Sequence, residues 1–428
     1  MRLQIKNFAK IKEADITLDG ITVIAGENNT GKSTVGKILN SYFKAFKEYP
    51  IQINSQRDRR ISNFIINYVY INDSELNSNN SIDELKQRVF LYLSDKSEKN
   101  YQSIINVCRD DVCHNSDYFD IEEAKKLISD IVKVSEISDI SILSSIVNSK
   151  FSSAFNNQIN NINNQVESEL VISIKKSVSR IVFKNNLCTE INLPIRIVNS
   201  SFFIDNPNTL NNLTNNNIRA KSQNNFVFRL FRDNLFSSFS DEGQPDFISK
   251  IIANDKLNEI YHLLENTGIG SIEKQENGHY IYNSKNLSQP LEILNLSMGL
   301  KSFVLLKSLL QENAIKEKDI LIFDEPEIHL HPAWQIIYAQ LLVLLQVTFD
   351  LTLVITSHSP YFIDAINLYA AKYDALKNCN FYLSEMEDNQ VTFKNVTNNI
   401  DKIYEKLADP FDTLDTLRYE LQEEGKLC

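Results

Sequence analysis

Asp319–Pro332 reads DILIFDEPEIHLHP. Within it, Ile320–Phe323 is a short apolar run of the kind that forms a strand buried on both faces. The run ends in Asp324-Glu325-Pro326, so two carboxylates stand at the C-terminal end of a strand, where α/β sheets bind their ligands. There Asp324 suits a Mg²⁺ ion held through its waters, and Glu325 suits the polarisation of an attacking water. A second apolar run, Leu351–Ile355, ends in Thr356-Ser357-His358, a polar group suited to sensing a γ-phosphate. Ser359 and Pro360 then have the character of a helix cap and a first helical residue. Strand, carboxylates, strand, helix: the pattern is α/β.

The partner of this stretch lies near the N-terminus. Gly26–Ser33, GENNTGKS, matches G-x-x-x-x-G-K-[ST] in full. An apolar strand, Ile21–Ala25, precedes it. A helical pattern follows, with Val35, Ile38, Leu39, Tyr42, Phe43 and Phe46 on one face. The nucleotide loop is thus Gly26, Glu27, Asn28, Asn29, Thr30, Gly31, Lys32, Ser33 and Thr34. Gly26 and Gly31 let backbone amides turn inward around phosphate oxygens, and the helix N-terminus adds positive potential. Lys32 is placed for the β- and γ-phosphates and Ser33 for Mg²⁺, so ATP and Mg²⁺ are the expected cofactors.

Leu296-Ser297-Met298-Gly299-Leu300-Lys301-Ser302 resembles the signature motif of ABC-type ATPases in a variant Ser-x-Gly-x-Lys-Ser form. DEPEIHLHP followed by TSHSPYF resembles the RecF/OLD/SMC-like branch of those ATPases. Within it the chain is most similar to stand-alone ATPases of bacterial anti-phage systems (Septu-like), which act with a separately encoded effector, often a nuclease. The resemblance implies an ABC/SMC-like P-loop ATPase head, a mixed sheet flanked by helices, with a helical insertion. It also implies a homodimer that sandwiches two ATP molecules, with Ser297, Gly299 and Lys301 acting on the nucleotide of the other copy. Glu325 is then the catalytic base, with Lys32 and His358 completing the catalytic group. His329 and His331 make a poor metal pair on their own, and the family places their loop at the dimer interface. A RecF-like DNA-repair ATPase is the alternative. A transporter subunit fits less well, because Lys32 and Ser297 are separated by a long insertion.

At 428 residues with 43% hydrophobic content, the chain is large enough for an α/β head plus an insertion. The net charge of −11 argues against a wholesale nucleic-acid coat, while leaving room for local contact with nucleic acid. No uninterrupted run of eighteen apolar residues occurs, and MRLQIKNF lacks a signal-peptide core. Five scattered cysteines suit a reducing compartment, so a cytoplasmic protein without membrane contact is expected. CRDDVCH, with Cys108 and Cys113, lacks a second ligand pair nearby and is expected to be structural.

From Gln52 to Leu193 there is neither Gly nor Pro, which reads as mostly helical. The expected insertion is 72–184, with the head formed by 1–71 and 185–428. Val147, Phe151, Phe155, Ile159, Ile162, Val166 and Leu170 form an apolar seam at helical spacing, expected in the core of a helical hairpin. Arg2–Phe8, Ala14–Leu18 and Ile21–Ala25 are expected to pair as an opening sheet. Phe226–Phe239, with Arg229 and Arg232, reads as an amphipathic helix. Asn380–Ser384 and Val391–Val396 read as a terminal hairpin, followed by a helical tail. Glu385, Glu387 and Asp388 leave too little room for an in-chain nuclease.

Overall fold

The computed structural model describes residues 1–72, 78–113, 119–161, 166–213, 258–275, 279–424 and 426. The proposed helix Phe226–Phe239 lies outside them. The chain divides into two compact units, Met1–Lys47 with Lys150–Cys428, and Glu48–Ser149.

The first unit is built on an eleven-stranded mixed sheet. Its strands in chain order are β1 (Arg2–Phe8), β2 (Ile11–Thr17), β3 (Ile21–Gly26), β4 (Ser168–Ile174), β5 (Ser177–Lys184), β6 (Leu187–Asn192) and β7 (Ser201–Ile204). A small separate sheet holds β8 (Ser271–Lys274), β9 (Tyr280–Asn283) and β10 (Leu291–Glu292). The large sheet is completed by β11 (Ile320–Asp324), β12 (Thr352–Ser357), β13 (Cys379–Glu387) and β14 (Gln390–Asn395). Across it the order is β6-β5-β4-β1-β2-β14-β13-β3-β12-β11-β7.

The half from β13 to β7 is parallel throughout. Its strands are apolar on both faces, as buried parallel strands must be: every residue of β3 is buried, and so is all of β11 up to Asp324. Register fixes what stands together at the C-terminal edge. Asp324 pairs with Thr356, Ser357 with Ala25, and Ser384 with Gly26.

Helix α1 (Lys32–Phe46) follows β3 directly. The second unit then supplies α2 (Tyr49–Asn72), α3 (Ser78–Ser94), α4 (Glu98–Val107), a five-residue π turn (Cys108–Val112), α5 (Ile121–Glu136) and most of α6 (Asp139–Phe155). Ile61, Ile65, Leu85, Ile104, Leu127 and Ile131 belong to its separate core, and Cys108 and Cys113 are buried there, neither in a disulfide. The remaining helices are α7 (Met298–Gln311), α8 (Pro332–Phe349), α9 (Pro360–Lys372) and α10 (Asp401–Glu423). Helix α8 is long and apolar enough to cross a membrane, although Gln335, Gln340 and Gln346 interrupt its apolar run. Half of it is buried, with Tyr338, Leu341, Leu342 and Leu345 in the main core.

Three sequence expectations differ from the structure. First, the compact insertion is Glu48–Ser149, not 72–184: β4 and β5 belong to the main sheet, where β4 pairs with β1. Second, β2 and β3 are not neighbours. The terminal hairpin β13–β14 lies between them, β14 beside β2 and β13 beside β3. Third, the apolar seam does not run along one helix. Val147 and Phe151 lie in α6, Ile159 lies beyond its end, Leu170 lies in β4, and Ile162 falls outside the described residues. Val147, Phe151, Ile159 and Leu170 are core all the same, whereas Val166 is exposed. Phe8 stacks edge-on to Phe155 at 5.0 Å and to Phe183 at 5.9 Å, and Phe151 lies 4.9 Å from Phe183. Phe151→Ala should therefore destabilise the protein by about 3–5 kcal/mol in denaturant unfolding, without changing its association state. A change of association with little loss of stability would mark the seam as a self-association surface instead.

Candidate nucleotide site

The loop after β3 is closed by its own side chains. Thr30 Oγ1 donates to the Glu27 carbonyl at 2.7 Å and lies 2.6 Å from Ser384 Oγ. Ser384 Oγ also donates to the Ala25 carbonyl at 3.1 Å. Gly26, at φ +150°, is required by this packing, since a Cβ there would stand 2.2 Å from Ser384 Oγ. Asn29 adopts φ +67°, and its side chain accepts from Lys10 Nζ at 2.8 Å. Gly31 caps α1 at φ +75°, leaving the first helical amides facing the loop. Glu27 pairs with Lys406 of α10 at 2.9 Å, while Asn28 is exposed.

Lys32 stands at the centre. It is 3% exposed. Its Nζ donates to the Gly26 carbonyl at 2.9 Å and the Glu27 carbonyl at 2.7 Å, and lies 3.5 Å from Glu325 Oε1. Burial holds its pKa below the ordinary lysine value, against the opposing pull of Glu325, Asp324 and Glu327.

Asp324 ends β11 and accepts from Thr356 Oγ1 at 2.6 Å and from the Ser33 hydroxyl. Burial raises its pKa, the two hydroxyls oppose that, and the carboxylates of Glu325 and Asp205 add to it. Glu325 turns the chain out of the strand at φ +48°, a strained backbone for a residue with a side chain. Its N–H donates to the carbonyl and the hydroxyl of Thr356, both at 3.1 Å, which holds that turn. Glu325 Oε1 is 3.6 Å from His358 Nδ1, and the imidazole followed by Lys32 keeps its pKa below the usual glutamate value despite burial.

The signature residues form a second group. Ser297 caps α7, its Oγ accepting from Leu300 N at 3.3 Å. Gly299 admits the carbonyl of His329, which a Cβ would meet at 2.8 Å, so this helix start is packed on the EIHLHP loop. Lys301, expected with them on the nucleotide, is turned inward instead. It is buried, with its Nζ 3.5 Å from Asn208 Oδ1 and 3.4 Å from the Leu294 carbonyl. His331 caps α8 by accepting from Ala333 N at 3.3 Å, and the His329 side chain is exposed. Among the described residues, no cluster of three metal-binding side chains occurs.

The structure thus brings Gly26–Ser33, Asp324, Glu325 and His358 together, while Ser297 caps α7 and Gly299 packs on the EIHLHP loop. A model of the AAA ATPase domain matches residues 1–363. The chain belongs to that family. ATPase activity follows from this membership, and the AAA ATPase match covers every residue of both groups. No curated protein matches the chain. Solved structures similar to it include an SMC head domain from Thermotoga maritima, 11% identical, covering 92% of this chain and 98% of that one at a TM-score of 0.37. Another is an SMC head bound to the C-winged helix domain of ScpA, 12% identical over 92% and 97% of the two chains, with a TM-score of 0.45. A third is an Smc head with an extended coiled coil bound to the C-terminal domain of ScpA, derived from Pyrococcus furiosus. It is 11% identical over 97% and 98%, with a TM-score of 0.35. These scores are too low to carry the fold, which rests on the strand order above.

Two side chains outside the sequence-derived set belong to the site. Ser384 lies on the far hairpin and carries no motif. Glu327 is 1% exposed, and its motif position, one residue past Asp-Glu-Pro, was the available signal.

The pair Glu325–His358 gives a direct check. His358 has its pKa raised above the ordinary histidine value, first by the Glu325 carboxylate, with burial opposing. A folded pKa above the unfolded one stabilises the fold below the ordinary histidine pKa, and that contribution is lost as pH rises through the folded value. In Glu325→Gln, the NMR-monitored midpoint of His358 should move to lower pH. An unchanged or higher midpoint would contradict this pairing.

Proposed function

We propose that this AAA ATPase domain protein is a Mg²⁺-dependent ATPase whose heads close in pairs on ATP, and that closure switches a separately encoded effector in anti-phage defence. The observation that carries the reading is the convergence of Lys32, Asp324, Glu325 and His358 on one edge of adjacent parallel strands.

Lys32 Nζ now holds two backbone carbonyls, and the β- and γ-phosphate oxygens of ATP are better partners for it. The donor set also fits Mg²⁺. Asp324 and the Ser33 hydroxyl face each other, the neighbouring carboxylates repel one another, and Mg²⁺ needs only one or two protein ligands beside phosphate and water. That ion supplies charge neutralisation on the phosphates. Glu325 stays ionised at neutral pH and is placed to orient and deprotonate the attacking water. His358, raised towards its cationic form, is placed to donate to the γ-phosphate.

Ser297 and Gly299 open a helix, and the N-terminus of a helix favours an anion, which makes a second anion site. The P-loop already serves the phosphates of its own chain, so this second site is assigned to the γ-phosphate held by another copy. The exposed Ile328, His329 and His331 are placed for the same interface. The effector and defence roles rest on the resemblance of DEPEIHLHP and TSHSPYF to anti-phage ATPases, an argument from analogy.

Glu325→Gln tests the reading. The amide keeps the shape of the side chain but cannot take a proton, so hydrolysis should fall by about 10²- to 10⁴-fold with ATP binding retained. Distance probes across the heads should report closure in ATP with Mg²⁺ that reverses when nucleotide is removed. Wild-type hydrolysis would sink the base assignment, and no ATP-dependent closure would sink the dimer. The same trapped form is the bait for the effector, which should be retained in ATP and released without it.

A further inference from the structure

The reading above gives Glu327 no task, yet its carboxyl is among the most enclosed polar groups of the chain, at 1% exposure. A buried carboxyl is costly unless it is well bonded. Glu327 Oε1 accepts two hydrogen bonds, from Ser357 Oγ at 2.5 Å and from the backbone N–H of His358 at 3.1 Å. Both donors stand where β12 ends, so one oxygen spans from the loop after β11 to the neighbouring strand. Ser357 Oγ also accepts from Ser359 N at 3.1 Å, which brings the cap of α9 into the same knot. Gln335 of α8 ties the same pieces a second time. Its Nε2 donates to the carbonyls of Leu330 at 3.1 Å and Glu327 at 3.4 Å, and its Oε1 accepts from Ser359 Oγ at 2.7 Å.

The His358 imidazole itself is not held in this way. Its Nδ1 is buried, 3.6 Å from Glu325 Oε1 and 3.9 Å from Glu327 Oε1, and has no hydrogen-bond partner among the described residues. Those separations are too long for hydrogen bonds. The ring is therefore positioned by its own backbone, and the backbone N–H is positioned by Glu327. We propose that Glu327 is a positioning residue for ATP hydrolysis, holding the backbone of His358 so that the imidazole faces Glu325 and the γ-phosphate. This rests on the assignment of His358 above.

Burial pushes the Glu327 pKa up, so the neutral amide of glutamine is a close substitute. It keeps the acceptor that Ser357 and His358 use. Alanine removes it and leaves two buried donors without a partner.

Steady-state kinetics on Glu327→Ala, Glu327→Gln, Ser357→Ala and His358→Ala, with the double variants, tests this. His358→Ala should lower kcat on the order of 10²-fold, as loss of one donor to developing charge does, with KM for ATP little changed. Glu327→Ala should fall to a similar kcat, and Glu327→Gln should recover most of it. The decisive readout is non-additivity: adding Glu327→Ala or Ser357→Ala to His358→Ala should lower kcat no further. Additive losses, a wild-type kcat in Glu327→Ala, or a Glu327→Gln as poor as alanine would overturn the inference. If Glu327→Ala does not fold, Ser357→Ala carries the test, with a reduced kcat alone and none of that loss in the His358→Ala background. A wild-type kcat in Ser357→Ala would then overturn it. A wild-type kcat in His358→Ala would instead overturn the sensor role of His358, and this inference with it.

Discussion

Everything at the candidate site depends on a single constraint, the parallel register of β3, β12 and β11. Parallel strands deliver all their C-terminal ends to one edge. Here that edge receives Gly26 and the P-loop, then Thr356 to His358, then Asp324 and Glu325. A slip of one residue in either pairing would turn side chains to the opposite face of the sheet. The apolar cores of these strands, buried on both sides, prevent such a slip. Lys32 is where the three ends meet, bonded to the carbonyls of one strand end and paired with the carboxylate of another.

Charge in this cluster is unbalanced towards the acids. Asp324, Glu325 and Glu327 lie around Lys32 and His358, and burial pushes Asp324 and Glu327 towards the neutral form. Glu325 is the exception, because both cations act on it. One carboxylate of the group is thereby kept ionised while its neighbours are pushed towards protonation. This is the separation of roles that acid–base chemistry requires of adjacent groups.

The parallel half of the sheet and its motifs were legible in the sequence, since each strand is an uninterrupted apolar run that ends in polar residues of definite chemistry. The antiparallel half was legible only in part: β1 and β2 read as strands, but β4 falls inside the expected helical insertion. The turns of that half use Lys175, Asn185 and Asn186 at positive φ where glycine is the usual signal, so a stretch without Gly or Pro read as mostly helical although it ends in two hairpins. The position of β13–β14 was hidden for a different reason. Residues adjacent in sequence are not always adjacent in a sheet, and nothing in the local pattern shows that a hairpin from the far end separates β2 from β3. Ser384 reached the P-loop by that route. Lys301 was assigned by motif, but burial within its own chain decides its direction.

The hairpin and α10 lie beyond the residues matched by the family model, yet they brace its nucleotide loop through Ser384 and Lys406. Gly26 is tied to that brace by a contact no side chain could share. The carbonyls now bound by Lys32 should occupy it only until phosphate arrives. The most direct measurement is a structure of the chain with a non-hydrolysable ATP analogue and Mg²⁺. Lys32 Nζ is expected to leave the carbonyls of Gly26 and Glu27 for the β- and γ-phosphates, with the metal between Ser33 and Asp324. Nucleotide bound elsewhere, or a Lys32 still seated on those carbonyls beside it, would contradict the account.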